Sequence, residues 1–211
     1  YTLGPDLDPF LFLRYASEMI NGSFNQIDEM RNVPLGFDTS KELQMVSYFI
    51  VITYRILNMF GNYSINYAGA FMPVWVFALT IIAFFLFVRE IFSRKDKESK
   101  TKANLIASIA TFFMIVMPAF LSRTVAGIPE KETIAFFFMF LSFFLFLRAW
   151  KSEKKVYAYT LGTLAGIVTG LLGLTWGGVS IIYITIAVAG IGAFILNKIK
   201  TKEIIVYGLW F

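Results

Sequence analysis

The sequence predicts an all-α, polytopic membrane protein, and three observations carry that prediction. Of its 211 residues, 57% are hydrophobic and 18% aromatic, and the mean hydropathy is +0.67; soluble domains run at roughly 45–50% apolar. The apolar residues form long stretches without charge, at 66–88, 103–122, 133–147 and 156–197. The basic residues collect between these stretches: Arg89 to Lys102, Arg148 to Lys155 and Lys198 to Lys202 hold 13 of the 19.

Taken in order, residues 1–65 are more polar than the rest and read as an external loop with amphipathic helices. "DPFLFLRYASEMI" has helical spacing, with Asp8 expected as the N-cap and Pro9 as the first helical residue. "NGSFNQIDEMRNVPLGFDTSKE" carries the turn residues of an ordered loop. Residues 43–60 form an apolar helix interrupted by Arg55, its charge-free part short for a span, and are expected to lie at the interface or enter the membrane only partly. Residues 66–211 then read as a transmembrane helical domain. A helix needs about 20 apolar residues to cross the hydrocarbon core, which gives spans near 67–91, 103–121, 131–150, 156–174 and 178–197. An incomplete one follows at 203–211. The run 156–197 is too long for one helix, and "GLLGLTWGGVS" supplies the break that makes it a hairpin. With no initiator Met and "EIIVYGLWF" stopping inside a helix, the chain is expected to be part of a larger polytopic protein.

The net charge of +5 does not point to nucleic acid, because short connecting loops account for the lysines. The positive-inside rule makes the face with those loops cytoplasmic. Residues 1–65, 122–132 and the "TWGG" turn at 175–178 are thereby assigned to the outside of the cell membrane. The chain has no Cys and no His. Thiol and imidazole nucleophiles are absent, and any metal must be held by oxygen.

Three external features stand out: "DLDPF" with Asp6 and Asp8, "SRTVAGIPEKE" with Arg123, Glu130 and Glu132, and "TWGG". Each has a structural explanation. Asp8 caps a helix, and Glu130 and Glu132 follow Pro129 into a first turn, where acids favour the positive end of the helix dipole. The functional explanation brings Asp8 and Glu130 together to ligate Mg²⁺ or Mn²⁺, which need only one or two protein carboxylates. Glu132, two residues on and about 200° around a helix, either supports that site from behind or meets the substrate. Arg123 either forks onto a phosphate or pairs with one of the acids.

"DLDPFLFLRYA" resembles the first acidic motif of the oligosaccharyltransferase catalytic subunit, with its Asp-Pro pair and an Arg six residues after the Asp. "SRTVAGIPEKETIA" resembles that family's second motif, in which Ser-Arg, a small-residue turn and an acid-x-acid pair open a membrane helix. "TWGG" is similar to a later turn of the family. The Glu-x-Glu form and the Cys-free chain look archaeal. The resemblance implies a truncated GT-C type glycosyltransferase transmembrane domain, with metal ligation by Asp8 and Glu130, a supporting Glu132, and Arg123 beside the acids. It implies an oligosaccharide passed from a polyprenyl phosphate or diphosphate to Asn of Asn-x-Ser/Thr in an acceptor polypeptide. A later external acid and a soluble sequon-reading domain would lie outside this chain, which alone is expected to be inactive. The rival readings are a glycosyltransferase moving a single sugar to a hydroxyl, a transporter and a membrane scaffold. A transporter tends to bury ionisable groups at the membrane midplane, and none is expected within these spans.

Overall fold

The structure, a computed structural model, describes residues 7–211. The chain divides into two compact units, one of residues 1–75 and 123–133, the other of residues 76–122 and 134–211. The division falls ten residues beyond the 65/66 boundary expected from composition, and the Arg123–Thr133 segment joins the first unit.

In the first unit, α1 (Asp8–Asn21) begins one residue earlier than expected: Leu7 holds the cap position without a side-chain cap bond, and Asp8 is already helical. Proline lacks only an N–H that has no partner in the first turn anyway, so Pro9 is tolerated inside that turn. Asp8 is therefore not spent on capping. Gly22, with φ 71°, closes the helix in the left-handed conformation, and its N–H donates to the Glu18 carbonyl. The apolar face of α1, with Phe12, Tyr15 and Ala16, is fully buried and packs on α2 (Met45–Leu57), whose Ser47 hydroxyl donates to the Phe12 carbonyl at 3.0 Å. Between them, β1 (Ile27–Asp28) and β2 (Phe37–Asp38) pair antiparallel in a short hairpin. The N-terminal part of α3 (Ile65–Phe92) completes this core. Its Trp75 stacks on Phe49 with ring centroids 5.8 Å apart, and its indole N–H donates to Thr53 Oγ1 at 3.0 Å.

The second unit holds the rest of α3, then α4 (Lys97–Val116), α5 (Pro118–Leu121), α6 (Lys131–Lys151), α7 (Lys155–Gly173), α8 (Ser180–Ile195) and α9 (Thr201–Trp210). The single helix expected over 103–121 is not formed. Met117 is extended (φ −73°, ψ 121°) and α5 restarts at Pro118, because a proline disfavours helical geometry in the residue before it. The run 156–197 is interrupted at the expected place: α7 stops at Gly173 and a 3-10 turn at Gly177–Val179 leads into α8. Among the described residues, four helical stretches are long and apolar enough to cross a membrane: Ile65–Phe92, Lys131–Lys151, Lys155–Gly173 and Gly177–Ile195.

Two features hold this unit together. Phenylalanines of α3 and α6 interlock around Ala83, Met114 and Phe140. Alongside, α7 and α9 approach closely at Gly162 and Gly166, and the Trp210 indole N–H reaches Thr169 Oγ1 at 2.9 Å; that oxygen lies 2.6 Å from Ser142 Oγ. An ionisable side chain is buried near the end of α3 as well: Glu90, 5% exposed, accepts from Arg148 Nη1 at 3.0 Å.

Candidate functional site

Asp8, Arg123, Glu130 and Glu132 all fall in the first unit; Asp6 lies outside the described residues. The Arg123–Thr133 segment is a turn tied at several points. The Gly127 N–H donates to the Ala70 carbonyl at 2.9 Å, with Gly127 at φ 87°, and the Thr133 hydroxyl donates to the Arg123 carbonyl at 2.5 Å. Because α6 opens only at Lys131, Glu130 immediately precedes the helix and Glu132 lies within its first turn. Glu130 is 4% exposed and Glu132 is half-buried. Arg123 Nη1 stands 3.8 Å from Glu130 Oε1, with its own side chain half exposed. Of the two roles open to Arg123, pairing with an acid is thus seen, and the exposed part of its fork remains accessible to an anion.

Asp8 is exposed at the start of α1. One turn further along the same helix, the buried Phe12 ring lies under the Lys131 ammonium, 5.4 Å from its centroid. The residue next to Glu130 therefore touches the helix that Asp8 begins. Lys131 Nζ also donates to Glu42 Oε1 at 2.9 Å.

Glu42 is one end of a charged chain that sequence reasoning missed. Its other oxygen accepts from Arg31 Nη1 at 3.1 Å, and the same nitrogen donates to the Tyr15 hydroxyl at 3.1 Å. The Tyr15 hydroxyl donates to Asp28 Oδ2 at 2.9 Å, and Arg14 grips both oxygens of Asp28. These hydrogen bonds set the charge states. The Arg14 bond leads in holding the Asp28 carboxyl down at about 2, against burial, with help from Tyr15 and the Met30 N–H. Burial alone would raise Glu42, but Lys131 and Arg31 outweigh it and keep that carboxyl below its usual range. Burial, assisted by Asp28 and opposed by Arg31, raises the Tyr15 hydroxyl. Arg14 was visible in the sequence, six residues after Asp8; nothing local marked Asp28 or Glu42.

The donors offered to a metal are carboxylate oxygens only, and this chemistry fits a hard divalent cation. Among the described residues no three acidic side chains gather into a group able to hold a metal. Asp8, exposed, and Glu130, buried, each supply one carboxylate in the same unit. The "TWGG" turn lies in the second unit, where the Trp176 ring folds over Gly178 so closely that a Cβ there would sit 2.2 Å from it.

The family "Oligosaccharyl transferase STT3, N-terminal" matches residues 5–211. The chain belongs to this family. Among curated STT3 proteins, the dolichyl-diphosphooligosaccharide–protein glycosyltransferase subunit STT3 of Saccharomyces cerevisiae is 25% identical over 218 residues, covering 98% of this chain and 28% of that subunit. The Archaeoglobus fulgidus oligosaccharyltransferase in complex with Zn and sulfate is similar with a TM-score of 0.73 and 25% identity, covering 99% of this chain and 26% of that one. The archaeal enzyme AglB from the same organism, bound to an inhibitory peptide and a dolichol-phosphate, matches with a TM-score of 0.70 and 23% identity over 96% of this chain and 24% of that one. The chain thus spans about a quarter of the length of its STT3 relatives. Family membership and four apolar helices make it a multi-pass membrane protein.

Proposed function

We propose that this chain is the N-terminal membrane part of an archaeal-type oligosaccharyltransferase catalytic subunit, acting in protein N-glycosylation at the external face of the cell membrane. The donor is a polyprenyl phosphate- or diphosphate-linked oligosaccharide and the acceptor is Asn of Asn-x-Ser/Thr. The observation that carries this reading is the contact of the second acidic segment with the first, Lys131 over Phe12 of the helix that Asp8 opens. Asp8 and Glu130 lie outside the four candidate spans and Glu132 in the first turn of one of them, at its end, which suits a site where a lipid-borne donor meets a peptide arriving from water. An acid at the bilayer centre would cost about 2.5–3.5 kcal/mol.

In the transfer, the acceptor amide nitrogen forms a bond to the anomeric carbon, and the bond from that carbon to the carrier phosphate oxygen breaks with its electron pair left on phosphate. One amide proton leaves through a carboxylate to solvent. Amide nitrogen is a weak nucleophile because its lone pair is delocalised, a resonance that gives peptide bonds a rotation barrier of roughly 18–20 kcal/mol. Asp8, exposed at the start of α1, accepts hydrogen bonds from the amide hydrogens and weakens that conjugation. Glu130 and Asp8 would contribute ligands to Mg²⁺ or Mn²⁺, with Glu132 in support. The chemistry such an ion would supply when bound is Lewis-acid stabilisation of charge on the departing phosphate. Arg123 turns the exposed part of its fork to the phosphate, with paired hydrogen bonds that lysine cannot reproduce.

The test uses the full-length protein, a lipid-linked oligosaccharide and an Asn-x-Thr peptide, read by mass spectrometry. Asp8→Asn and Glu130→Gln should each abolish glycopeptide formation with the thermal midpoint retained. Wild-type turnover in either variant refutes the ligand assignment. Glycan found on a hydroxyl instead of Asn refutes the substrate assignment.

A further inference from the structure

We infer that Glu42 is a positioning residue for Glu130, acting through Lys131. This rests on the reading that Asp8 and Glu130 work together, and adds the device that holds them in register. The turn carrying Glu130 is tied on one side by backbone and hydroxyl bonds, Gly127 to Ala70 and Thr133 to Arg123. On the side facing α1 its tie is the side chain of Lys131, which rests on Phe12 and donates to Glu42 at 2.9 Å.

Glu42 is itself a firm anchor. It follows the 3-10 turn Thr39–Lys41, where its N–H donates to the Thr39 carbonyl at 3.1 Å. Its side chain is 15% exposed, and its second oxygen is held by Arg31. Arg31 is fixed in turn by the Phe37 ring, 4.0 Å away, and by the Tyr15 hydroxyl. Tyr15 and Phe12 both belong to α1, which Asp8 opens. The chain from Asp8 to Glu130 is thus closed through α1, Arg31, Glu42 and Lys131. A lysine between two glutamates would otherwise be drawn to its neighbours' carboxylates; held by Glu42 over Phe12, its charge does not compete for them. Misplacing a reacting group by about 1 Å can cost on the order of a hundredfold in rate.

The experiment is a double-mutant cycle on the full-length protein, Glu42→Gln and Lys131→Gln alone and together, with Lys131→Arg as the conservative variant. Glycopeptide formation is measured as kcat and as KM for peptide and lipid donor, alongside the thermal midpoint. Each single Gln variant should lose kcat about ten- to hundredfold with both KM values held and with any fall in the midpoint leaving the protein folded at the assay temperature. The double variant should fall no further than the worse single one, and Lys131→Arg should keep wild-type kcat. Wild-type kcat in Lys131→Gln, multiplicative losses in the double variant, or losses that track the midpoint would overturn the inference. Glu130→Gln runs in parallel to separate the two readings. If it stays active the acid-pair reading fails, whereas an inactive Glu130→Gln beside an unaffected Lys131→Gln removes only the role of Glu42.

Discussion

Arg123 Nη1 lies 3.8 Å from Glu130 Oε1, near enough for charge attraction and too far for a hydrogen bond between those two atoms. The pair joins a half-exposed cation to a buried acid, so the guanidinium keeps donors for an incoming anion. Arg123→Lys preserves the charge and removes the fork. Losing one charge-assisted hydrogen bond costs about 1.5–3 kcal/mol, so KM for the lipid-linked donor should rise about tenfold or more, with KM for the acceptor peptide unchanged. Equal rises in both constants, in steady-state assays of the full-length protein, would contradict a phosphate-facing arginine.

Asp28 should make the first unit sensitive to acid. Its folded-state value of about 2 lies below the ordinary 3.8, chiefly through the Arg14 bond. A depressed carboxyl stabilises the fold above its unfolded value, and that contribution is lost as pH falls from about 4 toward 2, on the order of 2 kcal/mol. Proteolysis of the 22–44 segment should accelerate across that window in the wild type. Asp28→Asn should already be destabilised at neutral pH, by about 3 kcal/mol for breaking a buried pair, and should show a flatter profile between pH 4 and 2. Matching pH profiles would remove Asp28 as the hub.

Charge-free runs made α3, α6, α7 and α8 legible, because apolar length in a membrane chain is a direct physical requirement. The Gly-rich "TWGG" break was legible for a similar reason, as glycine punctuates a helix locally. Pro118 was equally visible, yet an unbroken helix was expected over 103–121; the apolar count outweighed the conformational restriction on Met117 that ends α4. The acids Glu130 and Glu132 stood out because they sit beside a phenylalanine run. Glu42 and Asp28 did not, since their partners come from elsewhere in the chain. Lys131 is 89 residues from Glu42 and Arg14 is 14 from Asp28, and polar residues in a loop look alike until the fold buries them. Glu90 shows the same limit: its partner Arg148 is 58 residues away.

The α7–α9 contact should depend on hydrogen in place of a side chain at one position. A Cβ at Gly166 would stand 2.6 Å from the Trp210 carbonyl oxygen and 3.1 Å from that of Leu209, and one at Gly162 would stand 3.2 Å from the Val206 carbonyl. These are backbone atoms, so rotamer change in a neighbour cannot relieve the overlap. Gly162, Gly166 and Gly170 recur every fourth residue, the spacing that lets membrane helices approach closely, but a Cβ at Gly170 would meet nothing within 4 Å. Gly166→Ala should therefore force α9 outward and cost about 1–3 kcal/mol, and Gly162→Ala should cost less. Gly170→Ala should be neutral or gain up to about 1 kcal/mol from helix propensity. Thermal midpoints of the three variants in detergent give the ranking; a Gly166→Ala protein as stable as Gly170→Ala would show that α9 does not pack against α7 at this distance.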